Sequence, residues 1–263
     1  ASLRVIGTPF SYTDIYQQLA ENEAYTVRTY PCLNSLNEPL WPDRWNYDAL
    51  MARKAEIGTL KFTREYMCVP ISTGTSLFNP EYLDSAKNKD LILKPMRREG
   101  FKYFVGVDPA ISTDGDYNVI TVIEMDENEN KRVVYIDRAK NVQFRENIQK
   151  VKLINSMFRP EVVLFETNTF AKSFTQELRQ VADINVHDFN TTRRKKQEII
   201  LNLQMTLENK KIHFPYGNEE SRRVTSALIE EMSMFAITDN GKFEGIGAHD
   251  DMVMSLALAN AAT

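Results

Sequence analysis

The sequence is poor in residues that crosslink a fold, with two cysteines and three histidines in 263 residues. Cys32 and Cys68 are too few and too far apart for a zinc ligand set, and they read as unpaired thiols of a reducing compartment. So few histidines make histidine-based acid–base chemistry a minority option. No apolar run reaches the roughly 18 residues needed to cross a bilayer. No basic stretch followed by an apolar one opens the chain, so no secretory signal is visible. The sequence starts at Ala1 rather than Met, which suggests a processed or truncated chain. It lacks the G-x-x-x-x-G-K-[ST] phosphate loop, so ATPase activity is not expected from it. It also lacks G-x-S-x-G and a cysteine with a convincing partner base, which removes two routes to nucleophilic catalysis. Neither sign of charge dominates: 32 Lys and Arg stand against 36 Asp and Glu, a net charge of −4. That balance excludes a globally basic nucleic-acid binder but leaves room for a local basic stripe.

What is present is an ordinary globular composition, 43% apolar and 26% charged, with enough length for a sizeable core. The first hundred residues are interrupted by Pro9, Pro31, Pro39, Pro42, Pro70, Pro80 and Pro95. They predict a short strand over 3–6, a helix from about Thr13, an ordered irregular loop over 31–45 and a helix over 47–57 stopped by Gly58. Residues 71–80 read as a connection. From Phe101 the pattern sharpens. Strands are expected at 102–107, 119–125 and 133–136, then a helix over 143–158 and an apolar strand over 162–165. Next come a helix over 171–181, a strand at 184–187, a helix over 193–208, a strand at 212–214 and a helix over 219–234. Asp239-Asn240-Gly241 signals a hairpin. A final helix begins near His249 and is apolar almost all round, so it should be buried. Three consecutive strands suggest an antiparallel meander, and the β-α-β units after it suggest parallel additions to the same sheet. The expected class is therefore α/β, a mixed sheet flanked by helices.

Acidic residues fall at comparable structural positions. Asp108 ends the first strand of this part, Glu166 follows the apolar strand, and Asp250 and Asp251 open the final helix. Strand ends and helix starts are where an α/β sheet gathers its functional groups. Converging carboxylates repel and need a compensating charge. A divalent cation supplies it, and hard oxygen donors without Cys or paired His favour Mg²⁺ or Mn²⁺. Two such ions can activate a water and stabilise a leaving oxygen in phosphodiester cleavage. Several of these residues also have a plainer reading, although no turn chemistry explains Glu166. Asp108 can be a turn residue, Asp250 an N-cap, and His249 a metal ligand, a phosphate donor or a cap. Asp114 reads as a solvated turn acid, and Asp116 can support a metal site or serve the turn. Arg193, Arg194, Lys195 and Lys196 start a helix, where positive charge opposes the dipole. They read either as a solvated face or as phosphate contacts without base readout, and Lys172 is a further candidate for that role.

Three segments together resemble a known family. Gly106-Val107-Asp108-Pro109-Ala110, Leu164-Phe165-Glu166-Thr167-Asn168 and Gly247-Ala248-His249-Asp250-Asp251 are similar to the three motifs of the nuclease domain of large terminase subunits from tailed bacteriophages. The stretch 195–215 is similar to the segment between the second and third motifs. Residues 5–9 with 14–16 resemble the end of the ATPase domain of the same proteins, and 62–70 the connection into the nuclease. The resemblance implies an RNase H-like fold and a metal-dependent endonuclease that cuts concatemeric viral DNA when packaging starts and ends. It implies that Asp108, Glu166 and Asp251 are catalytic and hold metal. Asp250 joins them as a ligand, with His249 and Asp116 in support. It further implies 1–75 as a remnant of the ATPase domain and linker, 76–100 as a connection and 101–263 as the nuclease domain. Expected partners are double-stranded DNA, a small terminase subunit and a portal protein, in the host cytoplasm. Two other readings stay open: a Holliday-junction resolvase or transposase core, and a non-catalytic module that grips DNA or docks on a portal.

Overall fold

In the computed structural model, the described residues are 3–9, 14–70, 76–94, 96–109, 117–167, 175, 177–179, 184–238, 241–246 and 249–263. The chain divides into two compact units, 1–75 with 237–241, and 76–236 with 242–263.

The first unit contains helices α1 (Ile15–Ala20), α2 (Tyr47–Ile57) and α3 (Thr59–Glu65). Asp14 caps α1, its carboxylate accepting from the Tyr16 and Gln17 amides at 3.0 and 3.1 Å. Gly58, at φ 81°, separates α2 from α3; the chain restarts as a helix at once instead of stopping there. The small core joins Leu33, Leu50 and Phe62, with Trp45, Tyr66 and Met67 packed against it. The Phe62 and Tyr66 rings stack at 5.1 Å. Residues 3–6 do not form the expected strand: they are exposed and have no ladder partner among the described residues. Cys32 and Cys68 are unpaired thiols.

The second unit is built on one sheet. Its elements are α4 (Pro80–Ala86), β1 (Lys87–Asn88), β2 (Lys102–Asp108), β3 (Tyr117–Met125), β4 (Lys131–Lys140), α5 (Phe144–Phe158), β5 (Val162–Glu166), β6 (Val186–Phe189), α6 (Arg193–Glu208), β7 (Ile212–Pro215), α7 (Glu219–Ser233), β8 (Phe235–Ile237), β9 (Phe243–Gly245) and α8 (Asp251–Ala261). The strand order is β1-β7-β4-β3-β2-β5-β6. Strands β2, β3 and β4 form the antiparallel meander, while β5, β6 and β7 add in parallel. Strands β8 and β9 pair separately as the expected hairpin. The helix expected over 171–181 and the Asp239-Asn240 turn lie largely or wholly outside the described residues, although 175 and 177–179 are helical.

Two faces of the sheet are covered differently. One side packs Val105, Val107, Ile120, Val122, Val163 and Phe165 against Ile148, Val151, Ile154 and Phe158 of α5. The other receives α8, whose residues 252–260 are all buried. Gly106 makes that second contact possible, because a Cβ there would overlap the backbone of Ser255 and Ala259. Ser255 donates to the Gly106 carbonyl at 3.0 Å, and its hydroxyl also lies 3.0 Å from that of Thr121, so the helix is hydrogen-bonded to the strands it covers.

Candidate active site

The register brings the strand-end acids together. Gly106 pairs with Leu164 and Val107 with Phe165, so Asp108 and Glu166 follow one residue further on adjacent parallel strands. Strand alternation puts Asp108 on the face of Gly106, the face that α8 covers. The side chains of Asp108 and Glu166 hydrogen-bond to each other. Two carboxylates in such contact repel unless a proton or a cation lies between them. Burial first, then the charge and hydrogen bond of Glu166, then the charges of Asp251 and Asp250, hold the Asp108 carboxyl well above the usual carboxylate range.

The start of α8 supplies the other two acids, and here the N-cap expectation fails. Asp250 precedes the helix but makes no side-chain cap hydrogen bond. The cap comes from a different helix: the buried Glu231 of α7 accepts the Met252 amide at 2.9 Å. Asp250 is thereby released and instead accepts from Lys196 Nζ at 2.9 Å. Asp251 accepts from the Tyr117 amide at 3.0 Å. His249 Nδ1 lies 3.7 Å from Asp251 Oδ2, too long for a good hydrogen bond, and its ring meets Tyr117 edge-on at 5.1 Å.

A cationic layer stands behind these groups. Arg138 pairs with Glu231 at 2.6 Å and lies 3.7 Å from the Tyr117 ring centroid, with Lys140 Nζ 4.4 Å from the same ring. Burial raises the Glu231 carboxyl to about 7, against the pull of Arg138 and the Met252 amide. Tyr117, Arg138, Lys140 and Glu231 were not anticipated. Glu231 alone left a trace in the sequence: it interrupts the buried stripe Ser221, Thr225, Leu228, Met232, and an acid on an apolar face needs a partner.

The basic stretch divides. Lys196 reaches Asp250, and Lys195 lies over the ring of Phe189, the register partner of Glu166. Arg194 faces solvent, paired with Glu198, and Arg193 is exposed. Asp114, Asp116 and Lys172 lie outside the described residues, as do Gly247 and Ala248. Among the described residues, no three His, Cys, Asp or Glu side chains form a ready-made cation site. The donor chemistry nevertheless suits a hard divalent ion: carboxylates only, mutually repelling, where a cation would relieve them.

The parallel additions to an antiparallel meander, with acids on two adjacent strand ends and on a covering helix, define an RNase H-like α/β domain. Comparison with known families agrees: residues 105–262 match the model of the terminase RNaseH-like domain, and the chain belongs to that family. The large terminase subunit of Thermus virus P23-45 is 25% identical over 252 residues, 88% of this chain and 47% of that protein. That of Thermus phage G20c is 24% identical over the same shares. This chain spans about half the length of these relatives. The crystal structure of the G20c large terminase nuclease superposes with a TM-score of 0.53 at 22% identity, covering 71% of this chain and 98% of that one. The same nuclease has been solved with bound magnesium and with bound cobalt. The large terminase of bacteriophage HK97 shares the fold at a TM-score of 0.54 and 12% identity, over 82% of this chain and 50% of that one.

Proposed function

We propose that this chain is the nuclease part of a large terminase, a metal-dependent endodeoxyribonuclease that cuts concatemeric viral DNA during capsid packaging. One observation carries the reading: carboxyls from two adjacent strand ends meet within hydrogen-bond reach, and Asp108 also feels two further acids at the start of a buried helix. A purely structural cluster gains nothing from such repulsion. Asp108, Glu166, Asp250 and Asp251 would hold Mg²⁺ or Mn²⁺, two ions in the full site. When bound, the ions lower the pKa of water and stabilise charge on the leaving oxygen.

The chain's own residues set the geometry. Tyr117 orients Asp251 through its amide, and Glu231 fixes the helix start so that both aspartates stay available. Lys195, Lys196, Arg138 and Lys140 flank the acids and serve the phosphate backbone, with Arg193, Arg194 and Lys172 as outer contacts. His249 and Asp116 support the acids. Hydrolysis adds water across the P–O3′ bond and leaves 5′-phosphate and 3′-hydroxyl ends. Residues 1–75 would correspond to the end of the motor domain and its linker. The chain's setting is the host cytoplasm, with a small terminase subunit and a portal protein as partners.

The test is cleavage of supercoiled plasmid with Mg²⁺, Mn²⁺, Ca²⁺ or EDTA, beside Asp108→Asn and Glu166→Gln. Cleavage with Mg²⁺ or Mn²⁺ that each substitution lowers by at least about a hundredfold supports the reading. Cleavage that survives both substitutions overturns the site, and a folded protein that neither cuts nor binds Mn²⁺ overturns the function.

A further inference from the structure

Lys196 is hard to account for as helix stability. It lies in the first turn of α6, where a positive charge opposes the dipole. Its partner Asp250 is not needed as a helix cap, because Glu231 already takes the Met252 amide. The pair is only about a quarter exposed, at 23% for Lys196 and 24% for Asp250. The Phe235 ring lies 5.6 Å from the ammonium, on the same side chain that reaches the acid. Asp250 in turn belongs to the acidic cluster, because its charge is felt at Asp108. A monovalent cation is therefore built into a group of carboxylates, on a flexible four-carbon stem with three rotatable donors.

Such a cation competes with any divalent ion that would use Asp250. Like charges a few ångströms apart repel strongly where water is partly excluded. The ammonium leaves Asp250 most readily when another anion receives it, and the anion that comes to this edge in a nuclease is a DNA phosphate. We propose that Lys196 is an internal counter-ion that keeps Asp250 from the metal until a DNA phosphate takes its ammonium, so that DNA binding and metal loading promote one another. This rests on the nuclease reading above. The coupling is reciprocal by thermodynamic necessity: whatever DNA does for the metal, the metal does for DNA. The free protein would then hold its ions weakly and meet DNA in a state of restrained activity.

The experiment is equilibrium Mn²⁺ binding, followed by electron paramagnetic resonance, on the full 263-residue chain with and without a short DNA duplex. For the unsubstituted chain, the duplex is expected to tighten Mn²⁺ binding several-fold. Lys196→Gln is expected to bind Mn²⁺ about fivefold to tenfold more tightly without DNA, and to lose most of the effect of the duplex. Lys196→Met keeps the stem on the Phe235 ring and should behave like Lys196→Gln; Lys196→Arg keeps the charge and should behave like the unsubstituted chain. Near-UV circular dichroism checks that each variant is native. Native Lys196→Gln and Lys196→Met proteins whose DNA-free Mn²⁺ binding is unchanged or weaker overturn the counter-ion role. An unsubstituted chain that binds no Mn²⁺ in either condition overturns the nuclease reading itself.

Discussion

Asp108 is held in its place against its own electrostatics. Its carboxyl is pushed toward the protonated form by burial and by three acidic neighbours. Removing that charge should relieve the site while ending its chemistry. Asp108→Asn is expected to melt about 2–4 °C higher than the unsubstituted chain in EDTA, and scanning calorimetry checks it; a lower melting temperature would mean that the acids are not in conflict. Glu231 is also pushed up by burial, but its surroundings use it. Glu231→Ala leaves Arg138 without its partner and the Met252 amide without its acceptor, and should cost about 2–3 kcal/mol in urea denaturation. Lys131 sets a third local cost. Burial lowers its ammonium to about 8, although it donates to Asn260 at 2.9 Å and Thr263 at 2.7 Å. The folded chain therefore releases that proton before the unfolded chain does, so the unfolded state binds more protons between pH 8 and the ordinary lysine range. Stability should rise with pH across that window, and Lys131→Met should flatten the rise; denaturation series at pH 7, 8, 9 and 10 measure both. Of these residues, the sequence singled out Asp108, as an acid at a strand end, while Glu231 left only a trace, as an acid on an apolar helix face. Glu231 and Tyr117 owe their roles to contacts between elements far apart in the chain, which no local pattern encodes.

Among the elements, the helix at 251–261 and the strand at 102–108 set the site jointly. Runs of β-forming residues bounded by turn signals made the strands legible, and the all-round apolar face of residues 252–259 made the last helix legible as buried. The bounds of α6, Arg193–Glu208, coincide with those expected, and the Thr192 side chain caps its start. Other elements gave no such signal. Helices Thr59–Glu65 and Pro80–Ala86 are too short for a periodic stripe, and β1 is a two-residue strand defined only by its partner β7. Residues 3–6 show the converse, β-forming side chains without a neighbouring strand, because propensity alone does not make a ladder. Gly106 is where strand and helix meet most closely. Gly106→Ala should lift α8 from the sheet at a cost of about 1–3 kcal/mol. Because Asp250 and Asp251 ride on that helix, its loss of cleavage should exceed what the lost stability explains, as cleavage assays below the melting range would show.

At the scale of the molecule, a net charge of −4 coexists with cations placed around an acidic edge. Total charge is therefore a poor guide to a nucleic-acid partner, and local placement is the useful quantity. Binding to duplex DNA should fall steeply with salt, with a log–log slope of roughly −3 to −4 if four phosphates are met. Lys140→Ala should reduce that slope by about one, whereas a salt-insensitive affinity would remove backbone contact from the account. No helix among the described residues is long and apolar enough to cross a membrane. The way α8 is enclosed has a consequence of another kind. Its amides lie under the sheet on one side and under α6 on the other, so they should exchange with solvent deuterium only when the whole unit opens. The acids at its start then have no fraying state of their own, and catalytic competence should persist, undiminished, until the domain itself is lost.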